Sequence, residues 1–339
     1  MEVNNTISLV IPCFNCENTI TNCIKSIYNG EVLPQEIIAV NDNSTDNTLK
    51  TLVKLKSQFR ELKILNTSEN LGPAKARNVG AKQAKCDFLF FVDSDTELDK
   101  KTIKIFKKNC NKYDAIVGIY KELPLNSGYA PFYKSSFYFY LFKNQEVITY
   151  DQFSASCAGI NKKVFLDLKG YDEWFKPGCD LENEEFGHRI VENNHSMVLM
   201  PEIQVAHHFP YFFKMIKTFF LRTSLWMEMF LVRKKFSSAA GTAGMGSACV
   251  SLSISLFTLF FAYFNYLFLI VSALFLVVFL KFHFPFYYYI IKNYNFKIFG
   301  IIFISIVSSN AISLGAFWGL LKVVLNQSDL YNRFKNIKN

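Results

Sequence analysis

Five apolar residues, Phe88-Leu-Phe-Phe-Val92, run directly into Asp93-Ser94-Asp95. Two carboxylates one residue apart, delivered by a stiff apolar segment, suit one kind of chemistry well. Hard divalent cations that carry diphosphates take a few carboxylate oxygens and fill their remaining positions with phosphate and water. The pair is therefore a candidate anchor for a metal-bound nucleotide. The same spacing also fits an acidic strand-to-loop turn, so the surrounding chain has to decide between the two.

An apolar run of that length with a polar stop reads as a strand buried on both faces. In open α/β sheets, ligands collect at the carboxyl ends of the strands, where Asp93 and Asp95 would emerge. The segments on either side alternate in the same way. Ile7–Ile11 reads as a strand and Asn18–Tyr28 as an amphipathic helix. Glu36–Val40 is a strand that ends in a polar turn rich in helix N-caps, and a helix follows over 46–57. Strand Leu62–Leu65 leads to Gly72-Pro73, where proline opens a helix of small residues, Ala74–Ala84. A helix over 100–109 and a strand over Ala115–Ile119 complete the series. This alternation predicts an α/β fold with a mainly parallel sheet and helices on both faces. The aromatic stretch Tyr129–Phe142 reads as a helix or a flap. Strand Phe153–Ile160, helix Lys162–Leu168, an acid-opened helix Leu181–Asn193 and strands Ser196–Met200 and Ile203–His207 follow.

Composition then changes abruptly. Residues 237–339 hold seven Lys and Arg against one acid, Asp329, and so carry +6 of the formal net charge of +9. The basic balance is thus a membrane-flank feature, and no basic helix interleaved with aromatics offers a nucleic-acid groove. Residues 210–236 alternate bulky apolar groups with Lys214, Lys217, Arg222, Arg233, Lys234 and Lys235, as helices in a bilayer interface do. Val250–Leu280 carries no charge, which gives a hairpin of two short spans turning near Asn265 or one long tilted helix; Ile298–Leu321 is a further span. Gly315 and Gly319 have the spacing that lets helices approach closely. The expected layout is a domain over 1–209, interfacial helices over 210–236, two or three spans within 237–325 and a basic tail over 326–339. Arg233–Lys235 predict that the N-terminal domain faces the cytosol, at the cytoplasmic membrane. The polar start, without a signal-peptide pattern, agrees. So do the eight scattered cysteines, which read as reduced thiols. Cys13-Phe-Asn-Cys16 leaves room for a redox pair, and no second pair has zinc spacing.

Five pieces now fall in order along the predicted sheet edge. They are Val10-Ile-Pro12-Cys-Phe-Asn15, Ala39-Val-Asn-Asp42-Asn-Ser-Thr-Asp46, Asn70-Leu-Gly72-Pro-Ala-Lys-Ala-Arg77-Asn78-Val-Gly80, Asp93-Ser94-Asp95, and Glu182-Asn183-Glu184-Glu185-Phe-Gly-His188-Arg189 with His207-His208 beyond it. Together they resemble the family 2 glycosyltransferases, inverting enzymes of GT-A fold, over roughly residues 5–210. The trailing apolar segments are similar to those of membrane-anchored members. On the residues alone, Asp42 can accept from a nucleobase or ribose, Asp46 is a helix cap, and Arg77 offers a planar fork to a nucleotide or a salt bridge.

The resemblance implies a nucleotide-sugar donor held by Pro12, Asn15, Asp42, Arg77 and Asp93, with Asp95 on Mg2+ or Mn2+ and His207 as a further ligand. It implies a carboxylate base on the acidic helix. Glu182 is the first choice, with Asp180 and Glu185 behind it, because the family's usual Asp is here the amide of Asn183. Glu185 and Arg189 stand one turn apart, so the arginine can hold the acid. The membrane segments point to a lipid-linked or glycolipid acceptor in envelope polysaccharide or glycolipid synthesis. A non-catalytic nucleotide-sugar-binding scaffold of a membrane assembly complex is the alternative, kept open by Asn183. A nucleotidyltransferase lacks its phosphate-cradling loop here, and a transporter lacks intramembrane acids. Oligomeric state has no signature in the chain.

Overall fold

A computed structural model of the chain describes residues 5–175, 181–235 and 243–338. They divide into two units, one of Met1–Leu125 with Leu141–His208, the other of Asn126–Tyr140 with Phe209–Asn339.

The first unit is built on a nine-stranded sheet: β1 (Ile7–Cys13), β2 (Glu36–Asn41), β3 (Leu62–Asn66), β4 (Phe88–Val92), β5 (Thr96–Leu98), β6 (Ala115–Tyr120), β7 (Ile148–Thr149), β8 (Cys157–Asn161) and β9 (Met197–His207). Helices α1 (Ile20–Tyr28), α2 (Thr48–Gln58), α3 (Pro73–Gln83) and α4 (Thr102–Asn109) alternate with the early strands, as expected. The spatial order is β3-β2-β1-β4-β8-β6-β9-β5, with β7 beside β9. Pairs β2–β3, β1–β2 and β1–β4 are parallel, and so is β6–β9. Pairs β4–β8, β6–β8, β5–β9 and β7–β9 are antiparallel. The sheet is therefore parallel through β4 and mixed beyond it. The reason lies in the connection: no crossover helix returns the chain to the sheet between β6 and β8, because helix α5 (Tyr129–Phe142) lies mainly in the other unit. Strand β9 was expected as two strands. It is one, with a register shift against β6 where Pro201, lacking an N–H, interrupts the ladder.

Strand β4 is buried on both faces, as its sequence predicts. Phe88 and Phe90 meet Phe106 of α4 on one side. Phe91 joins Phe153, Phe165 and Tyr171 on the other. Each such ring contributes about 1.5–3 kcal/mol on burial. The second aromatic cluster extends to Phe186 and so ties α6 (Lys162–Asp167) and α7 (Glu182–Glu192) to the sheet.

The second unit contains α5, α8 (Phe212–Arg233), α9 (Ala243–Phe261), α10 (Leu267–Tyr294), a 3-10 turn over Asn295–Lys297, α11 (Ile298–Val324) and α12 (Asp329–Lys338). Three of these, α9, α10 and α11, are long and apolar enough to cross a membrane. Of the two readings of Val250–Leu280, the hairpin holds: α9 and α10 meet through Ser255 and Ser272, and the chain turns between them around Asn265. Helix α5 is a helix, and its rings pack against α10. The Gly315 and Gly319 spacing serves α8. A Cβ at either position would collide with the Phe220 or Ser224 carbonyl, so the two backbones lie against each other. Glu228 of α8 is buried there, paired with Lys322 and accepting from Ser328 at 2.6 Å.

Candidate active site

The parallel strands end in loops that lock to one another. Asn15, after β1, adopts a left-handed φ of 48°. Its side chain accepts from the Thr45 N–H at 2.8 Å, and its own N–H donates to Ser44 at 3.1 Å. Asp46 accepts from the Thr48 N–H at 2.9 Å at the start of α2, the capping role its position suggested. Pro12 is buried in β1, opposite Val40. Asp42 is buried as well. It accepts from the Thr67 hydroxyl at 2.8 Å and from the Leu71 and Gly72 N–H groups at 3.0 and 2.8 Å. These bonds tie Asp42 to the loop that leads into α3. Gly72, at φ 85°, gives that loop a turn other residues resist.

Helix α3 carries Arg77 to the floor of the site. The guanidinium is buried and donates to Asp93 at 2.7 Å. It lies 3.5 Å from Glu182 and 5.4 Å from the centre of the Tyr171 ring. Burial works against its charge, but the Asp93 and Glu182 carboxylates hold its pKa above the ordinary value.

Asp93, Asp95 and His207 offer ligand atoms that all lie within 4.8 Å of one another. The pairing of β5 with β9 creates this meeting. It sets Thr96 opposite His207, and the His208 N–H donates to the Asp95 carbonyl at 3.0 Å. His207 Nδ1 lies 2.7 Å from the His208 carbonyl, which can only accept, so Nδ1 is the donor. Nε2 is left facing Asp95, 3.6 Å away. Burial raises the Asp95 pKa above its ordinary value; His207 pulls it down and the Asp93 charge pushes it up again. Two carboxylates and an imidazole on a half-open surface match the donor set of a hard or borderline divalent cation, which would also relieve the repulsion between the acids. The residues fit Mg2+ or Mn2+.

Helix α7 divides its acids between two tasks. Glu185 takes two hydrogen bonds from Arg189, at 2.5 and 2.8 Å. Arg189 also donates to the carbonyls of Leu168 and Gly170. Both oxygens of Glu185 are therefore taken up by Arg189. Glu182 faces Arg77 and the Asp93 side of the cleft. Asp180 lies outside the described residues.

Tyr171 and Tyr120 carry no sequence signal of their own. Asn78 donates to the Tyr171 carbonyl and accepts its N–H, both at 2.9 Å, across 93 residues of chain. The Tyr171 hydroxyl lies 3.4 Å from Asn183 Oδ1. Tyr120 stands edge-on to His207 at 5.4 Å and accepts from Ser156. Cys13 and Cys16 are free and buried. Burial raises the Cys13 pKa, while a hydrogen bond from Cys13 lowers that of Cys16.

Residues 8–168 match the family described as "Glycosyl transferase family 2". The chain is 38% identical over 101 residues to a poly(ribitol-phosphate) beta-N-acetylglucosaminyltransferase, TarS, of Staphylococcus aureus, covering 29% of this chain and 17% of that protein. It is 34% identical over 116 residues to a poly-beta-1,6-N-acetyl-D-glucosamine synthase of Staphylococcus epidermidis, covering 33% and 28%. It is 32% identical over 114 residues to a hyaluronan synthase of Pasteurella multocida, covering 34% and 12%. The chain thus spans less than a third of each relative's length. In fold it is similar to GalNAc-T7, crystallised with UDP, GalNAc and Mn2+, at a TM-score of 0.52 and 18% identity over 61% of this chain and 43% of that one.

Proposed function

We propose that this chain, whose residues 8–168 match the family 2 glycosyltransferases, moves a sugar from a nucleoside diphosphate donor to a membrane-associated acceptor with inversion. The observation that carries this reading is the convergence of Asp93, Asp95 and His207 within 4.8 Å at the sheet edge. Bound there, Mg2+ or Mn2+ would supply charge that stabilises the departing diphosphate. Arg77 fixes the Asp93 carboxylate from beneath. The interlocked loops after β1 and β2, with Pro12, Asn15 and Asp42, shape the nucleoside side of the site.

Inversion in a single displacement requires the acceptor oxygen to lose its proton as it attacks. Glu182 is the base in this reading, since Glu185 is held by Arg189. The names of the relatives point to sugar polymers of the cell envelope. The three apolar helices support an acceptor carried on a lipid. Lys214 and Lys217, which directly follow the first unit, support a catalytic domain on the cytosolic side.

The test is nucleoside diphosphate release by the full chain in detergent, screened over UDP-, GDP- and dTDP-sugars with Mn2+, with and without membrane lipid extract. Release from one donor, increased by the extract, is the expected result. Donor binding without release under both conditions would favour the second reading, a nucleotide-sugar-binding scaffold, to which Asn183 in place of an acid lends weight. No binding of any donor would remove both.

A further inference from the structure

The two units differ sharply in charge. The second unit holds 14 Lys and Arg against two acids, Glu228 and Asp329, while the first holds 23 against 26. Both acids of the second unit sit toward the same end. Glu228 is buried against Lys322, near the end of α11, and Asp329 opens α12 just beyond it. The opposite end, where α10 turns into α11, has none of the unit's carboxylates.

That end is basic and aromatic. Lys297, in the turn Asn295–Lys297, places its ammonium 3.9 Å from the centre of the Phe132 ring and 5.5 Å from that of Tyr294. Lys292 is exposed on the last turns of α10. Lys214 and Lys217 are exposed on the first turns of α8. Their neighbours Phe212, Met215 and Ile216 pack into the cluster that contains Phe132, Ile298 and Ile301. Phe212 also stacks on Phe303. Lys134 lies over Phe209 and Phe219 on the other side of α5. Asn126 and Phe209, where the chain enters this unit, are hydrogen-bonded to each other here.

Two helices of membrane length joined by a three-residue turn must put that turn at a bilayer face if both cross. Tyr287, Tyr288, Tyr289 and Tyr294 fall just before it, as aromatic residues do at an interface. A ring bed orients an ammonium without cancelling its charge, which an ion pair would do.

We propose that this end of the unit, centred on Lys297 with Lys214, Lys217 and Lys292 around it, binds the phosphate of a membrane lipid. A phosphate monoester, with a charge of about −1.5 to −2, suits several ammoniums better than a singly charged diester. The inference deepens the proposed function and rests on its membrane reading. It makes the lipid that carries the acceptor a ligand of the helical unit.

The experiment titrates a polyprenyl monophosphate into the full chain in detergent, without donor, and reads the bound fraction by native mass spectrometry. Each lysine replaced by glutamine should weaken binding about fivefold. The triple variant K214Q/K217Q/K297Q should therefore lose roughly a hundredfold. K335Q, on α12 at the other end, should bind as the wild type does. A triple variant that binds like wild type, with an unchanged melting temperature, would overturn the proposal. So would displacement of the lipid by an equal concentration of inorganic phosphate, which would mark a site for free anions. A phosphatidylglycerol that binds as tightly as the monophosphate would overturn the monoester preference. Because donor is absent, the two readings separate. Lysine-dependent lipid binding without sugar transfer keeps this site and removes the transferase; transfer with lysine-independent lipid binding does the reverse.

Discussion

Asp93 and Asp95 leave the sheet with 28% and 41% of their side-chain surface exposed, whereas Glu182 and Glu185 on α7 are sealed to 6% and 7%. One pair follows the apolar strand β4 and the other opens α7, and both stand near an arginine. The difference lies in what the arginine does. Arg189 faces Glu185 with both ends of its fork and fills the carboxylate. Arg77 holds one oxygen of Asp93 and leaves Asp95 facing His207. A carboxylate saturated by a guanidinium is part of the scaffold. One crowded by another acid and an imidazole is arranged for a cation. Glu182 stands between these cases, close to Arg77 but beyond hydrogen-bonding distance.

This contrast can be broken by substitution. Asp95→Ala should lower metal-dependent nucleoside diphosphate release by about a thousandfold, some 4 kcal/mol of transition-state stabilisation. Its melting temperature should stay close to wild type, because the side chain is half-open. A large loss of stability instead would mean that Asp95 belongs to the scaffold. Glu182→Gln should cut sugar transfer by about a hundredfold to ten-thousandfold while Mn2+ and donor binding persist. Loss of Mn2+ binding in that variant would show that Glu182 acts through Arg77 and Asp93 rather than as a base.

Glu185→Ala should do the opposite of Asp95→Ala. It strands Arg189 and should destabilise the protein by about 3 kcal/mol, read as a lower melting temperature, with metal binding intact. The smallest effect concerns Glu36, a buried acid far from the site. Burial works against its charge, but Lys63, Ser8 and the Lys85 N–H hold its pKa below the ordinary value. A carboxylate lowered in this way contributes stability above its unfolded pKa, about 4.3, and loses it as pH falls through the folded value. Glu36→Gln should therefore lower the melting temperature at neutral pH and flatten its fall in acid. A variant with the same acid slope as wild type would contradict the assignment.

The parts of this arrangement that were legible in the sequence are those written in local patterns. The run Phe88–Val92, the turn it enters and the alternation of strands and helices up to Tyr120 each follow from neighbouring residues. What was not legible depends on partners remote in the chain. The partners of Asp42, Thr67, Leu71 and Gly72, approach it only in the fold. Tyr171 gathers Arg77, Asn78 and Asn183, and no spacing announces it. Strand β5 is three residues long, too short for a periodic signal, yet its pairing with β9 brings His207 to Asp95. Helix α5 has a clear aromatic pattern, but only tertiary packing assigns it to the helical unit.

The central claim is that Asp93, Asp95 and His207 hold a divalent cation on which the nucleoside diphosphate rests. Its most direct test is a Mn2+ titration of the full chain in detergent with UDP present, followed by electron paramagnetic resonance, for wild type and Asp95→Ala. The account predicts a single tight Mn2+ site in the wild type, strengthened by UDP and lost in the variant. Equal Mn2+ binding by the two proteins would contradict it.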